Sequence, residues 1–323
     1  MKIFQNDRLI EAVRKAGNIL LCTHVSPDGD AIGSTLALGL MLESMGKTVT
    51  VSCADPVPSR MHFLSDWEWF CRPEDLEGMK FDTAIAVDAA DAGRMGGCQR
   101  YYMKAPVRLQ IDHHGTNPLY AQENEVDEHA AAAGCIVWRF AQKAGIELTK
   151  EMSECLYTAI SSDTGNFCFE NTDDECFDIT ADLVRHGLSI NDTARPLHLL
   201  REIPHVKLLA KALESLYFIG DGKIACMCLR KHHYLECDAG HEHADKIVNY
   251  AIDLPGVEMC FLADETDRGA KFSLRAQPPR DVACVASRFG GGGHVLAAGC
   301  RMPDTPFDTA VSEMEEALLE QLQ

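Results

Sequence analysis

The sequence predicts an α/β fold: a mainly parallel sheet flanked by helices in the N-terminal domain, then a smaller α/β C-terminal domain, with a cleft between them. Three observations carry this expectation. Apolar, β-branched runs of strand length alternate with helix-length amphipathic stretches from Asn18 to Ser161, and strands alternating with helices make parallel sheets. Acidic and histidine clusters stand directly after several of the strand runs, where parallel sheets place their ligands. The texture then changes around residues 186–205, at Gly187, Asn191-Asp192 and Arg195-Pro196, which reads as a boundary.

Taken in order, residues Asp7 to Ala16 suit a short helix. Asn18 to Thr23 is a buried strand running into the first cluster. From Ala31 to Met45 the spacing of Ile32, Leu36 and Leu40 predicts an amphipathic helix closed by Gly46. Thr48–Ser52, Phe81–Val87 and Val107–Ile111 are the next strands, the last two ending at Asp88 and Asp112. Helices are expected over Ala130–Ala144 and Lys150–Ser161, with Asp163 just past the second. After the boundary come a helix near Val206–Leu216, strands at Lys223–Leu229, Val257–Ala263 and Ala270–Ala276, a glycine-rich loop, and a helix near Thr309–Leu322. The expected organisation is a catalytic domain over 1–188, a linker over 189–215 and a substrate-binding domain over 216–323.

Composition excludes several classes. The chain has 323 residues, 46% of them hydrophobic and 24% charged, as in ordinary soluble globular proteins. No apolar run approaches the roughly twenty residues of a bilayer span. The N-terminus turns polar at once, so no membrane partner is expected and the cytoplasm is the default location. Fourteen cysteines are scattered without a Cys-x-x-Cys pair, which reads as small apolar filler in a reducing compartment. A net charge of −19 argues against long nucleic acids, whose grip needs basic tracks. A nucleotide substrate would be short and held by a few local groups.

The candidate chemistry lies in four clusters. His24-Val25-Ser26-Pro27-Asp28-Gly29-Asp30 sets an imidazole at a strand end and two carboxylates in a turn. His24 and Asp28 could hold one cation while Asp30 reaches a second, and Gly29 is expected to fold the backbone so that both carboxylates point one way. The competing reading is that Asp28 and Asp30 cap the next helix. Asp88 ends the apolar run Ala84-Ile85-Ala86-Val87 and needs an ion or a hydrogen-bonding partner. Its two oxygens make it the candidate bridge between cations. Asp112-His113-His114 is the most specific piece. Adjacent histidines point apart in an extended chain, so one can ligate while the other faces substrate, and Asp112 can orient an imidazole. Asp163 beside Thr164-Gly165 would be a turn residue if read alone. Oxygen and imidazole donors without thiolate suit two divalent cations, Mn²⁺ before a structural zinc, while Co²⁺, Fe²⁺ and Mg²⁺ fit the same donors.

This set resembles the DHH phosphoesterase family, named for its Asp-His-His. The C-terminal part is similar too: Ser273-Leu274-Arg275, then Phe289-Gly290-Gly291-Gly292-Gly293-His294 and Ala297-Ala298-Gly299, resemble the substrate-binding domain accompanying many of these enzymes. Within the family the compact two-domain form looks like the bacterial nanoRNases. The resemblance implies His24, Asp28 and Asp88 on a first manganese, and Asp30, Asp88, His113 and Asp163 on a second. It implies His114 at the scissile phosphate, with Asp112 behind it. Ser273, Arg275, Gly291, Gly292, Gly293 and His294 would hold the nucleotide that is not cut. The implied activity is hydrolysis of short oligoribonucleotides and of 3′-phosphoadenosine 5′-phosphate, in a chain that pairs as a homodimer on family grounds only. A cyclic-dinucleotide or linear-dinucleotide phosphodiesterase is the main alternative. Pyrophosphatase, long-strand exonuclease and non-catalytic sensor are weaker ones. The stretch His232-His233 to His243 has no fixed ligand spacing and reads as a solvated turn before a helix near Ala244.

Overall fold

In the computed structural model, which describes residues 2–322, the run Asn18–Cys22 forms a central strand, β1. Its side chains are buried on both faces: Ile19 and Leu21 enter one core, Leu20 and Cys22 another. A nearly continuous apolar run is what a two-sided strand requires. Ahead of it stands α1 (Asp7–Lys15), capped by Asn6, whose side chain accepts from the Leu9 amide. There follow α2 (Gly29–Ser44), β2 (Thr48–Ser52), β3 (Phe70–Cys71), β4 (Thr83–Val87), α3 (Gln99–Tyr102), β5 (Val107–Asp112), β6 (Glu123–Val126), α4 (Ala133–Ala144), α5 (Lys150–Asp163), α6 (Asp174–Arg185) and α7 (Ile190–Ala194).

The six strands pair in the order β3-β2-β1-β4-β5-β6, all parallel. The chain leaves β1 toward β2 and returns on its other side as β4, so the winding reverses between β1 and β4. Ligands of open parallel sheets bind at such a reversal, outside the carboxyl ends of the strands. Register completes the placement. Cys22 is level with Ala86, and Ala86 with Gln110, so residues two further on, His24, Asp88 and Asp112, emerge side by side.

The second unit begins at Arg201. It contains α8 (Ile203–Glu214), β7 (Tyr217–Ile219), β8 (Ile224–Leu229), α9 (Lys231–Cys237), α10 (Asn249–Ile252), β9 (Met259–Thr266), β10 (Gly269–Ala276), α11 (Val282–Arg288), β11 (Gly292–His294), β12 (Ala297–Pro303) and α12 (Phe307–Glu320). Its strands run β11-β12-β10-β9-β8-β7, antiparallel except for β8 against β9. Ala270, Phe272 and Leu274 of β10 turn into one core, so the alternating Lys271, Ser273 and Arg275 occupy the opposite face.

Several expectations change in detail. Residues 189–215 hold α7 as well as the expected helix, α8, and the division between compact units falls after Leu200. His232 and His233 lie within α9, and the next α-helix starts at Asn249 rather than near Ala244. The glycine run continues as a short edge strand, β11, paired to β12. All fourteen cysteines are free thiols. Among the described residues no helix is long and apolar enough to cross a membrane.

Candidate metal centre

His24 and His113 are each oriented by a backbone carbonyl. His24 Nδ1 lies 2.8 Å from the Val25 carbonyl oxygen and His113 Nδ1 lies 3.2 Å from that of Ala130. A carbonyl only accepts, so both Nδ1 atoms carry a proton and both Nε2 atoms are turned toward the carboxylates. His24 Nε2 stands 3.5 Å from Asp88 Oδ2 and 3.9 Å from Asp28 Oδ1. His113 Nε2 stands 3.5 Å from Asp88 Oδ1, 3.6 Å from Asp30 Oδ2 and 3.3 Å from Asp163 Oδ2. The two oxygens of Asp88 therefore face different imidazoles. Asp88 is buried in a left-handed conformation, φ 53°, a backbone state that costs a non-glycine residue on the order of 1 kcal/mol or more. Its amide is tied to the Ile111 carbonyl at 3.0 Å, so β5 helps to hold the turn.

The competing capping reading is met along with the convergence, not instead of it. Asp28 Oδ1 accepts from the amides of Asp30 and Ala31 and so caps α2. Asp30 caps a different helix: its carboxylate accepts from the first amides of α4, Ala133 at 2.6 Å and Gly134 at 3.0 Å. Gly29 acts by smallness, because a Cβ there would stand 1.8 Å from Ser162 Oγ. At Gly33 a Cβ would meet the Cys155 carbonyl oxygen at 2.4 Å. Glycine thus lets α2 and α5 approach closely, which brings Asp30 toward Asp163, the last residue of α5 rather than one beyond it.

Electrostatics describe a site crowded with acceptors. Burial pushes the Asp30 carboxyl well above its usual range, reinforced by the charges of Asp88 and Asp163. Asp163 is pushed up to about 7 by burial and by Asp28 and Asp88. For Asp88 burial works upward, but the His113 and His24 imidazoles outweigh it and hold the carboxyl below the usual range. His113 rises to about 10, since Asp88, Asp30 and Asp163 overcome the opposing effect of burial. His24 is raised in the same way, chiefly by Asp88. Asp88 Oδ1 is buried and has no hydrogen-bond donor. Imidazole nitrogens facing carboxylates at 3.3–3.9 Å, with an orphaned oxygen at their middle, fit a pair of hard-to-borderline divalent cations. Side-chain donors gather into His24-Asp28-Asp88, Asp30-His113-Asp163 and Asp88-His113-His114, and all six expected ligands fall within these groups.

His114 is half-buried at the same place. Its Nδ1 lies 2.8 Å from Asp112 Oδ1, and that bond, against the effect of burial, raises its pKa. Asp112 is fully buried, and its other oxygen receives the Asn117 side-chain amide at 2.5 Å. Asn117 was not singled out from sequence. Standing before Pro118 in Gly115-Thr116-Asn117, it carries only the signal of a turn residue.

In the second unit Ser273 and Arg275 line a cavity of about 200 Å³ together with Lys271, His241, Lys246 and Asp264. Arg275 donates to Asn249 Oδ1 at 3.1 Å and to the Leu274 carbonyl at 2.9 Å, both neutral oxygens, and burial lowers its pKa. Gly291 lines a neighbouring cavity of about 340 Å³ with Ser273 and Arg301. Gly292, Gly293 and His294 are exposed on β11, where part of their backbone already pairs with β12.

Comparison with known proteins agrees with this anatomy. Residues 18–160 match the model of the DHH family, N-terminal domain, and residues 230–322 match the DHHA1 domain. The chain is 32% identical to the bifunctional oligoribonuclease and PAP phosphatase NrnA of Thermus thermophilus, over 99% of this chain and 96% of that protein. It is 26% identical to the probable bifunctional oligoribonuclease and PAP phosphatase NrnA of Streptococcus mutans, over 90% of this chain and 91% of that one. The crystal structure of an exopolyphosphatase-related protein from Bacteroides fragilis shares the fold, with a TM-score of 0.92 at 24% identity over 97% of this chain and 95% of that one. With its Asp-His-His at the carboxyl edge of a reversing parallel sheet, the chain belongs to the DHH family, in the form that carries a DHHA1 domain.

Proposed function

We propose that this protein is a phosphoesterase dependent on two divalent cations, Mn²⁺ in preference, that hydrolyses short oligoribonucleotides to mononucleotides and 3′-phosphoadenosine 5′-phosphate to AMP. The observation that carries the reading is Asp88, buried and presenting one oxygen to His24 and the other to His113. His24, Asp28 and Asp88 would hold one cation; Asp30, Asp88, His113 and Asp163 would hold the other. Bound cations supply Lewis acidity at the phosphoryl oxygens and a water of lowered pKa. The chain's own part is to hold the ligands in place and to set His114 at the scissile phosphate, with Asp112 fixing the ring from behind. Water adds to phosphorus as the bond to the ester oxygen breaks, and that oxygen takes up a proton. In the second unit, Arg275 offers a guanidinium whose recorded hydrogen bonds go to neutral oxygens. It would act with Ser273, Gly291, Gly292, Gly293 and His294 on the nucleotide that is not cut.

Two further supports are the relatives named for both activities over nearly their whole lengths and the net charge of −19, which disfavours long strands. The test is a panel of 5′-labelled oligoribonucleotides from dimers upward, 3′-phosphoadenosine 5′-phosphate, and linear and cyclic dinucleotides, assayed with Mn²⁺. Dimers and 3′-phosphoadenosine 5′-phosphate should be turned over, and a chelator or Asp88→Ala should abolish it. Turnover confined to a cyclic dinucleotide, or persisting in chelator, would overturn the reading.

A further inference from the structure

His114 has two ring nitrogens, and the way it acts depends on which one is bare. A chain of side chains behind it decides this, and its direction can be read from one backbone group. Leu119 N lies 2.8 Å from a terminal atom of the Asn117 side chain. A backbone N–H only donates, so that atom is the amide oxygen Oδ1. Gln110, fully buried on β5, brings a side-chain atom to the same oxygen at 2.8 Å. That atom must therefore be the Gln110 amide nitrogen, which leaves Gln110 Oε1 buried without a partner. The nitrogen of Asn117 then points the other way, donating to Asp112 Oδ2 at 2.5 Å and reaching the Ala89 carbonyl at 3.5 Å. Asp112, its second oxygen so engaged, accepts through Oδ1 from His114 Nδ1 at 2.8 Å. Each bond forces the next. The bonds that begin at the Leu119 amide thus end on His114 with a proton on Nδ1, turned to Asp112.

We propose that Asn117 is a positioning residue that sets, through Asp112, the tautomer and ring orientation of His114, with Gln110 as its support. The reading that His114 serves the scissile phosphate underlies the kinetic part of this proposal. The orphaned Gln110 oxygen is its signature: a buried amide gives up one of its bonds so that Asn117 cannot turn over and present oxygen to a carboxylate.

Two substitutions separate positioning from scaffolding. Asn117→Ala removes the whole chain. Asn117→Asp keeps the shape and the oxygen that accepts from Leu119 and Gln110, but replaces the donor to Asp112 with a second oxygen. With dinucleotide and divalent metal, both variants should lose about 10- to 100-fold in kcat and change KM by no more than about twofold. Recovery of wild-type kcat in Asn117→Asp would assign Asn117 to loop structure and overturn the proposal. Should Asn117→Ala fail to fold, Asn117→Asp carries the kinetic test. The independent readout is histidine ¹⁵N NMR of the Mg²⁺-loaded protein. His114 should be the Nδ1–H tautomer in the wild type and should lose that preference in both variants. A wild-type His114 protonated on Nε2 alone would overturn the proposal outright. If the wild type hydrolyses neither dinucleotide nor 3′-phosphoadenosine 5′-phosphate, the functional reading fails, while the NMR measurement still decides the role of Asn117.

Discussion

At the scale of single residues, the centre is a set of acceptors with too few donors. The Val25 and Ala130 carbonyls hold two imidazoles with Nε2 turned to four carboxylates. Burial and the carboxylates' repulsion of one another push Asp30 and Asp163 upward, and whatever neutralises that charge stabilises the native state. Cation binding should consequently read out in stability as well as in turnover. A ligand bound by the folded form alone adds about 2.7 kcal/mol at a free concentration one hundred times its Kd. Mn²⁺ or Mg²⁺ should raise the melting temperature of chelator-stripped protein in a concentration-dependent way. Asp88→Asn, which conserves volume but presents one oxygen instead of two, should abolish most of that rise in a scanning calorimeter. An unchanged shift in Asp88→Asn would remove Asp88 from the bridging position.

At the scale of elements, the ligands owe their meeting to close packing and to one buried ionic network. α2 and α5 approach so tightly that a methyl group at Gly33 would press on the Cys155 carbonyl at 2.4 Å and the Ala159 amide at 2.8 Å. Both are backbone atoms that cannot swing aside, so Gly33→Ala should cost about 1–3 kcal/mol in denaturant unfolding and reduce turnover by shifting Asp163. α4, whose first amides grip Asp30, is held in turn by Arg139, whose guanidinium donates to Glu175 of α6 and to Asp127 at 2.7 Å. Arg139→Ala would leave buried Glu175 with only the Lys2 ammonium at 3.7 Å, which should cost up to about 3 kcal/mol. Replacing both with apolar residues, Arg139→Met with Glu175→Leu, should recover much of that loss, and comparing the melting temperatures checks the pair.

At the scale of the whole molecule, the charge distribution limits the substrate. With a net charge of −19, the proposed substrate would be held by local groups through few phosphates. For two or three phosphates of a single strand, the logarithm of affinity should fall with the logarithm of salt at a slope of about −1.4 to −2.1. KM for a dinucleotide measured across a salt series tests this. A markedly steeper slope, or tighter binding of a long single strand, would mean that a basic track exists after all.

Much of this was legible in the chain itself. β1, β2, β4 and β5 announce themselves as apolar or β-branched runs, and the ligand types stand where β1, β4 and β5 stop. Other elements left little local signal. β3 has two residues, and β6 reads Glu123-Asn124-Glu125-Val126, so neither shows an apolar period. Asn117 looks like a turn residue because its partners, Gln110 and Asp112, declare themselves only once β5 is placed. Asp30, a candidate ligand whose competing reading is a cap for the helix it begins, caps α4 instead, more than a hundred residues away. Local chemistry is encoded by neighbours along the chain: strand runs, helix periods, and oxygen and imidazole donors free of thiolate. Which strand lies beside β1, in what register, and which helix amides turn toward Asp30 depend on packing between segments far apart in sequence. That packing alone decided that these side chains face one another across Asp88.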